Sequence, residues 1–317
     1  MSKAGTVALV GRPNAGKSTL MNRLLGEKLA IVSDKPQTTR NRLIGILSGP
    51  AGQMVFYDTP GLHRPLHRMN RQMVQAAIDA MGECDVVCFL VDAAERFGAG
   101  DAYALDLLSR VRAPKILALN KIDRVKKPKL LPLIEKYAKS GQFAEIVPVS
   151  AANGDGCEVL LAELWRRLPE GEPLYDPELL TVHPERFLAA ERIREKVLEL
   201  THDELPYTTA VKIDRWEDAG DLLRLYATIY AERPGQKSIL IGQQGQQIKA
   251  IGTAARLDLE RYLGRRVFLD LHVREQPGWR EDAHLLAELE RDVYAGAESP
   301  AAAESGENED DGDDESS

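Results

Sequence analysis

Eight consecutive residues, Gly11, Arg12, Pro13, Asn14, Ala15, Gly16, Lys17 and Ser18, have the types and spacing to cradle a chain of phosphates. Gly11 and Gly16 let the backbone curl so that successive N–H groups turn inward, where phosphate oxygens at a helix N-terminus would meet them. Lys17 sets a point charge against the β- and γ-phosphates, and the Ser18 hydroxyl suits Mg2+. Thr19 follows within the opening helical turn. These residues imply a nucleoside triphosphate as ligand.

Three later segments indicate the base and the fate of the triphosphate. In Asp58-Thr59-Pro60-Gly61, a carboxylate at a strand end can hold Mg2+ through its water shell, and Gly61 lets the backbone swing toward a γ-phosphate. In Asn120-Lys121-Ile122-Asp123, the Asp123 carboxylate can accept both donors on one edge of guanine. The Asn120 amide suits the N7/O6 side, and the Lys121 stem can lie over the ring. Adenine would leave Asp123 desolvated and unpaired, at a cost of about 1–3 kcal/mol or more for a charged group. Ser150 and Ala151 are small enough to let a backbone N–H approach guanine O6. Taken in this order, the segments imply GTP.

Between the first two elements lies Lys35-Pro36-Gln37-Thr38-Thr39-Arg40. A threonine on such a loop can close onto Mg2+ and the γ-phosphate and let go after hydrolysis. Thr39 is the favoured ligand, with Thr38 second. Many small GTPases place a glutamine after the Asp-x-x-Gly turn to orient the attacking water. This chain has Leu62, which has no hydrogen-bonding group, so slow hydrolysis would rest on Lys17, Thr39, Gly61 and Mg2+. The neighbouring His63 reads as a structural or switch residue rather than a base.

Strands and a helix must position these groups. Residues 6–10, 53–57, 116–119 and 146–149 are apolar runs that read as buried strands, and residues 19–25 have helical spacing. Strands alternating with helices imply an α/β fold, a doubly wound, mostly parallel sheet covered on both faces. Prolines at 169, 173 and 184 with charges between them read as a linker over 171–184, separating a domain of residues 1–170 from one of residues 185–280.

In the second part, residues 185–201 pattern as an amphipathic helix with Leu188, Ile193, Val197, Leu198 and Leu200 inward. Strand-like runs follow at 208–216 and 223–231, then Gly242-Gln243-Gln244-Gly245, a helix over 246–263 and a last strand over 267–273. A Gly-x-x-Gly turn before a helix is the mark of a KH domain, which clamps about four single-stranded nucleotides. Eight basic residues stand against three acids over residues 233–274. That local excess suits a phosphate backbone, with Lys237, Ile241, Gly242, Gln243, Gln244, Gly245, Lys249 and Arg256 as candidate RNA contacts.

The net charge of −8 in 317 residues hides this excess. Residues 298–317 carry nine acids and no Lys or Arg, so removing them turns −8 into +1. Residues 281–317 are read as a helix end followed by a disordered acidic tail. Cys84, Cys88 and Cys157 are scattered thiols that suit core packing in a reducing cytoplasm rather than disulfides. His63 and His67 sit four apart, but no third ligand for zinc is near in sequence. No apolar run approaches the length needed to span a bilayer.

These motifs together resemble the Era family, two-domain bacterial GTPases. The resemblance rests on Gly-Arg-Pro-Asn-x-Gly-Lys-Ser, Pro-Gln-Thr-Thr-Arg, Asp-Thr-Pro-Gly, Asn-Lys-x-Asp and Ser-Ala. It continues through Ile193-Arg194-Glu195-Lys196, residues 227–233 and residues 236–242, covering roughly residues 4–280. It implies a Ras-like G domain, a type II KH domain, and GTP hydrolysis to GDP with Mg2+. It also implies binding to 16S rRNA near its 3′ end and a part in assembling the 30S ribosomal subunit. The alternative is a GTPase with a signalling or membrane-associated role. The expected form is a cytoplasmic monomer, with contact to the cytoplasmic face of the inner membrane as an added expectation. In related GTPases an asparagine at the position of Asn14 helps bind K+, and a K+ site is carried over to it. One departure concerns the Gly-x-x-Gly turn, where family loops usually carry a lysine and this chain has Gln243 and Gln244.

Overall fold

The computed structural model describes residues 2–35, 38–65, 67–201 and 205–294. Pro36 and Gln37 of the threonine loop, and the acidic tail beyond residue 294, lie outside them.

The first half alternates strands and helices, beginning with β1 (Lys3–Gly11), α1 (Lys17–Leu25), β2 (Leu43–Gly49), β3 (Gly52–Asp58) and α2 (Arg68–Glu83). It continues with β4 (Val86–Asp92), α3 (Ala99–Ser109), β5 (Lys115–Asn120), α4 (Leu130–Ala138), β6 (Glu145–Pro148) and α5 (Cys157–Arg167). The strands form one sheet in the order β2-β3-β1-β4-β5-β6, parallel except for β2, which runs antiparallel to β3. Alternation along β1 shows why helices cover both faces. Val7 and Leu9 enter a core with Leu20 of α1 and Leu160 and Leu164 of α5. Ala8 and Val10 enter another, with Ala77 and Met81 of α2 and Leu108 of α3. A strand buried on both sides is an unbroken apolar run, as residues 6–10 are. Cys84, Cys88 and Cys157 are all buried free thiols. The parallel strands end along one rim, which gathers the loops after β1, β3, β5 and β6.

The proline-rich stretch after α5 is fastened along the outer edge of β2. The Gln53 side chain exchanges two 2.8 Å hydrogen bonds with the Tyr175 backbone. Ile46 N–H donates to Leu180 O at 2.8 Å, and Thr181 Oγ1 donates to Ile44 O at 2.6 Å. His183 Nε2 accepts from Ile44 N–H at 2.9 Å, so that nitrogen is unprotonated; burial lowers the ring's pKa in the same sense. An edge strand that would otherwise expose unpaired backbone groups is thereby covered.

The second half comprises α6 (Glu185–Leu200), α7 (Leu205–Thr208), β7 (Thr209–Ala219), β8 (Leu222–Ala231), α8 (Pro234–Ile241), α9 (Gln246–Leu263), β9 (Arg266–Glu275) and α10 (Ala283–Tyr294). β7 and β8 form an antiparallel hairpin, and β9 adds parallel to β8. This is the type II KH arrangement, with α6 and α9 on one face of the sheet. Leu188, Ile193, Val197 and Leu198 point inward as the sequence predicts, but Leu200 is exposed because it ends the last turn. α8 is a helix where the sequence left the run before Gly242 unassigned. Met69 and Met73 of α2 pack with Tyr230, Trp279, Leu285 and Leu286, joining the two halves through one apolar cluster.

Candidate functional site

The loop after β1 is shaped by residues in the left-handed region. Gly16 sits at φ 96°, where an added Cβ would lie 2.2 Å from Asn120 Nδ2. Asn14 is at φ 62°, and its Nδ2 donates to Asp34 O at 2.7 Å. Lys17, the first residue of α1, is buried, and its ammonium donates to Arg12 O at 3.2 Å and Gly11 O at 3.5 Å. Burial lowers its pKa to about 8, with Asp58 acting in the opposite direction.

Three oxygens from separate elements meet beside it. Ser18 Oγ donates to Asp58 Oδ2 at 2.6 Å and lies 2.9 Å from Thr39 Oγ1, which is 3.2 Å from the same carboxylate oxygen. Thr38 instead donates to Lys35 O at 2.6 Å, so the geometry selects Thr39 between the two threonines. Asp58 is fully buried, and its Oδ1 has no hydrogen-bond partner among the described residues. Burial raises its pKa, while Lys17 and the two hydroxyls act against that shift. Hard oxygen donors converging around an orphaned buried carboxylate oxygen fit a small divalent cation such as Mg2+. Ser18 and Thr39 line a cleft of ≈ 540 Å³ with Gly16, Lys17, Gly61 and Lys121, and the buried Asp58 supports them from behind.

At the other end of the cleft the structure adds contacts within the protein to several sequence-based candidates. Asn120 is buried, donating from Nδ2 to Ala15 O at 2.8 Å and accepting from Ala151 N–H at 3.0 Å. Its amide thus braces two loops through its oxygen and one of its two Nδ2 hydrogens, and the Ala151 N–H is engaged with that oxygen. Asp123 Oδ1 accepts from Ser150 Oγ at 2.6 Å, so the serine hydroxyl sets the carboxylate's orientation, a task its small size did not suggest. Lys121 adopts φ 63° and pairs with Asp92 at 2.7 Å.

Three further candidates, Arg12, Thr59 and Leu62, and the neighbouring His63 engage other groups of the protein through their side chains. The Arg12 guanidinium is held by Glu95 at 3.1 Å and Asp101 at 3.2 Å. Thr59 Oγ1 donates to Leu9 O at 2.8 Å, tying the turn to β1. Leu62 is buried in the core between the sheet and α2, and its N–H donates to Gly11 O at 2.9 Å. Its apolar side chain belongs there, so Leu62 is no nucleotide contact. His63 Nδ1 lies 2.7 Å from Gly61 O, and its Nε2 is buried without a partner among the described residues. Pro13 and Thr19 line the cleft as expected; Pro60 continues the turn between Thr59 and Gly61.

A second loop lies in the other half. Gly242 has φ 73°, Gln244 φ 51° and Gly245 φ 76°, and Gly245 caps the N-terminus of α9. A Cβ on Gly242 would sit 2.6 Å from Gln247 Cβ. Gln243, Gln244 and Lys249 are exposed, while Lys237 and Ile241 are half-buried beside the turn. Arg256 is drawn to Glu260, with both oxygens at 2.8 Å, so its charge is locally offset rather than free. Gln247, absent from the sequence-based set, donates to Leu200 O and anchors the turn to α6.

A phosphate loop on a doubly wound sheet, followed by a KH domain, defines a nucleotide-binding protein with an RNA-type module. Residues 6–121 match the family described as 50S ribosome-binding GTPase, and residues 204–280 match the KH domain. GTPase Era of Geobacter metallireducens is 47% identical over 289 residues, covering 90% of this chain and 97% of that protein. The Staphylococcus haemolyticus GTPase Era is 42% identical over 288 residues, covering 90% of this chain and 96% of its own length. An Aquifex aeolicus Era variant crystallised with GDP.AlF4− superposes with a TM-score of 0.86 at 39% identity, covering 90% of this chain and 98% of the other. A structure of Era with MgGDPNP and nucleotides 1506–1542 of 16S ribosomal RNA gives 0.87 at 39% identity, with the same coverage. The chain belongs to the Era family of GTPases.

Proposed function

We propose that this protein binds GTP at the loop from Gly11 to Ser18 and hydrolyses it slowly. It uses the cycle to govern its hold on 16S rRNA near the 3′ end during assembly of the 30S subunit. The observation that carries this reading is the meeting of Ser18, Thr39 and Asp58 oxygens beside Lys17, in a chain that also presents a Gly-x-x-Gly turn. Its relatives support it, since one is crystallised with both MgGDPNP and a 16S fragment.

Ser18, Thr39 and Asp58 would hold Mg2+, which when bound neutralises charge on the β- and γ-phosphates. The loop amides receive the phosphate oxygens, and Lys17 exchanges its two carbonyl contacts for phosphate. Asp123, oriented by Ser150, accepts the two guanine donors. Leu62 cannot orient a water, so the attacking water depends on backbone groups near Thr39 and Gly61, which makes basal turnover slow. Asn14 takes part in a K+ site through its amide oxygen; equal turnover in K+ and Na+ would remove that role.

The test measures GTP hydrolysis with and without a small-subunit RNA 3′ fragment, in the parent and in Gly242→Asp. RNA should change the parent's rate, and the variant should lose both RNA binding and that response. A parent rate indifferent to RNA that it demonstrably binds would contradict the coupling.

A further inference from the structure

The loop that brings Thr39 to the phosphate loop is gripped along its length by a helix of the other domain. On α6, Arg194 is 2% exposed, and its Nη2 donates to Thr38 O. Glu191 fixes that guanidinium, accepting from Nε at 2.7 Å and Nη2 at 2.6 Å. Glu195, 1% exposed, accepts from Val32 N–H at 3.0 Å and from the Lys28 ammonium at 2.5 Å. Arg192 donates to Lys28 O at 2.9 Å. Arg40, one residue past Thr39, donates to Thr209 O of β7 at 2.6 Å.

Burying three charges on one helix is a costly way to fill space, because an apolar residue would avoid their desolvation. Arg194 even leaves its Nη1 buried without a partner among the described residues. What these charges achieve is directional. Arg194 spans a carboxylate and a main-chain carbonyl with one planar fork, and that carbonyl belongs to the residue before Thr39. The Thr39 hydroxyl then stands within 3.2 Å of both Ser18 and Asp58.

We propose that Arg194 is a positioning residue for GTP hydrolysis: it holds the Thr38 carbonyl so that Thr39 is presented at the phosphate loop by the second domain. This rests on the GTPase reading above. Its consequence is that α6 decides how firmly Thr39 is held beside Ser18 and Asp58. The same helix meets α9 through Arg192, which donates to Asp258 at 3.1 Å and lies over Tyr262 at 3.9 Å. Displacement of α9, the helix that begins at the Gly-x-x-Gly turn, therefore bears on Thr39.

The experiment compares the full chain with Arg194→Ala and Arg194→Lys. Amide exchange in peptides spanning residues 32–42 of the nucleotide-free protein should rise about tenfold in Arg194→Ala, with α9 peptides unchanged. A GTP analogue should bind about tenfold more weakly while GDP stays within about twofold, since GDP has no γ-phosphate for the loop to meet. The hydrolysis rate should fall about tenfold, with Arg194→Lys between the two because an ammonium lacks the rigid planar fork that spans the carboxylate and the carbonyl. Unchanged exchange and rate in Arg194→Ala would overturn the proposal, and so would a parallel loss of GDP affinity, which marks general damage. A parent without turnover would instead overturn the GTPase reading, and the exchange measurement would still judge the grip.

Discussion

The loop before α1 and the turn before α9 use one backbone device for two different ends. Each places a glycine in the left-handed region at a helix N-cap, Gly16 at φ 96° and Gly245 at φ 76°. Each has a non-glycine residue in the same region close before it, Asn14 at 62° and Gln244 at 51°. Both open a helix whose first amides have no partner within the helix, the kind of terminus that suits a phosphate. They differ in what stands at the first helical position and in what surrounds it. At α1 it is Lys17, buried and faced by Asp58, Ser18 and Thr39. At α9 it is Gln246, exposed, with Gln243 and Gln244 in the turn and no charge between the glycines. A buried loop can bind one anion tightly because every donor is already oriented. An exposed turn follows a flexible backbone and depends on the charge around it.

That contrast can be broken in order of expected effect. Lys17→Ala should lower GTP affinity or turnover about a hundredfold or more, as removal of an oriented donor in an enclosed site does. Equilibrium binding checks it, and a loss under about threefold would mean that the loop is no more demanding than the Gly-x-x-Gly turn. Asp123→Asn should cost GTP about tenfold or more and shift preference toward xanthosine triphosphate, because the amide presents a donor where guanine presents its own. Competition between the two triphosphates decides this, and unchanged GTP preference would detach Asp123 from the base. Smallest is the gain from Gln243→Lys with Gln244→Lys. RNA affinity should rise a few-fold, and the log–log salt dependence should steepen by about 0.7 for each lysine that meets a phosphate. A salt slope equal to the parent's would mean that the turn does not touch the RNA backbone.

Local pattern made much of this molecule legible. Apolar runs on β1, β3 and β5 gave their strands, and the helix over residues 246–263 coincides with α9. The convergence of Ser18, Thr39 and Asp58 follows from where motifs fall at strand ends, since parallel strands bring their carboxyl ends to one rim. What stayed hidden depends on contacts between distant residues. Asn120 and Ser150 are motif residues whose roles are set by Ala15, Ala151 and Asp123 across the rim. Leu62 looked like a vacant catalytic position but is a core residue, because its backbone turns the side chain under the sheet. The prolines after α5 suggested a plain linker, yet Ile44 fastens it to β2 and Gln53 to β3. Arg194 lay in a matched motif with no assigned task, because its partner is 156 residues away in the other domain.

The most direct test is a titration of the purified chain with GTP and with ATP, in Mg2+ and in its absence, with Lys17→Ala alongside. Saturable uptake of GTP that requires Mg2+, exceeds ATP by about a hundredfold and disappears in the variant is the expected result. Equal binding of both nucleotides, or uptake that survives loss of the Lys17 ammonium, would contradict it.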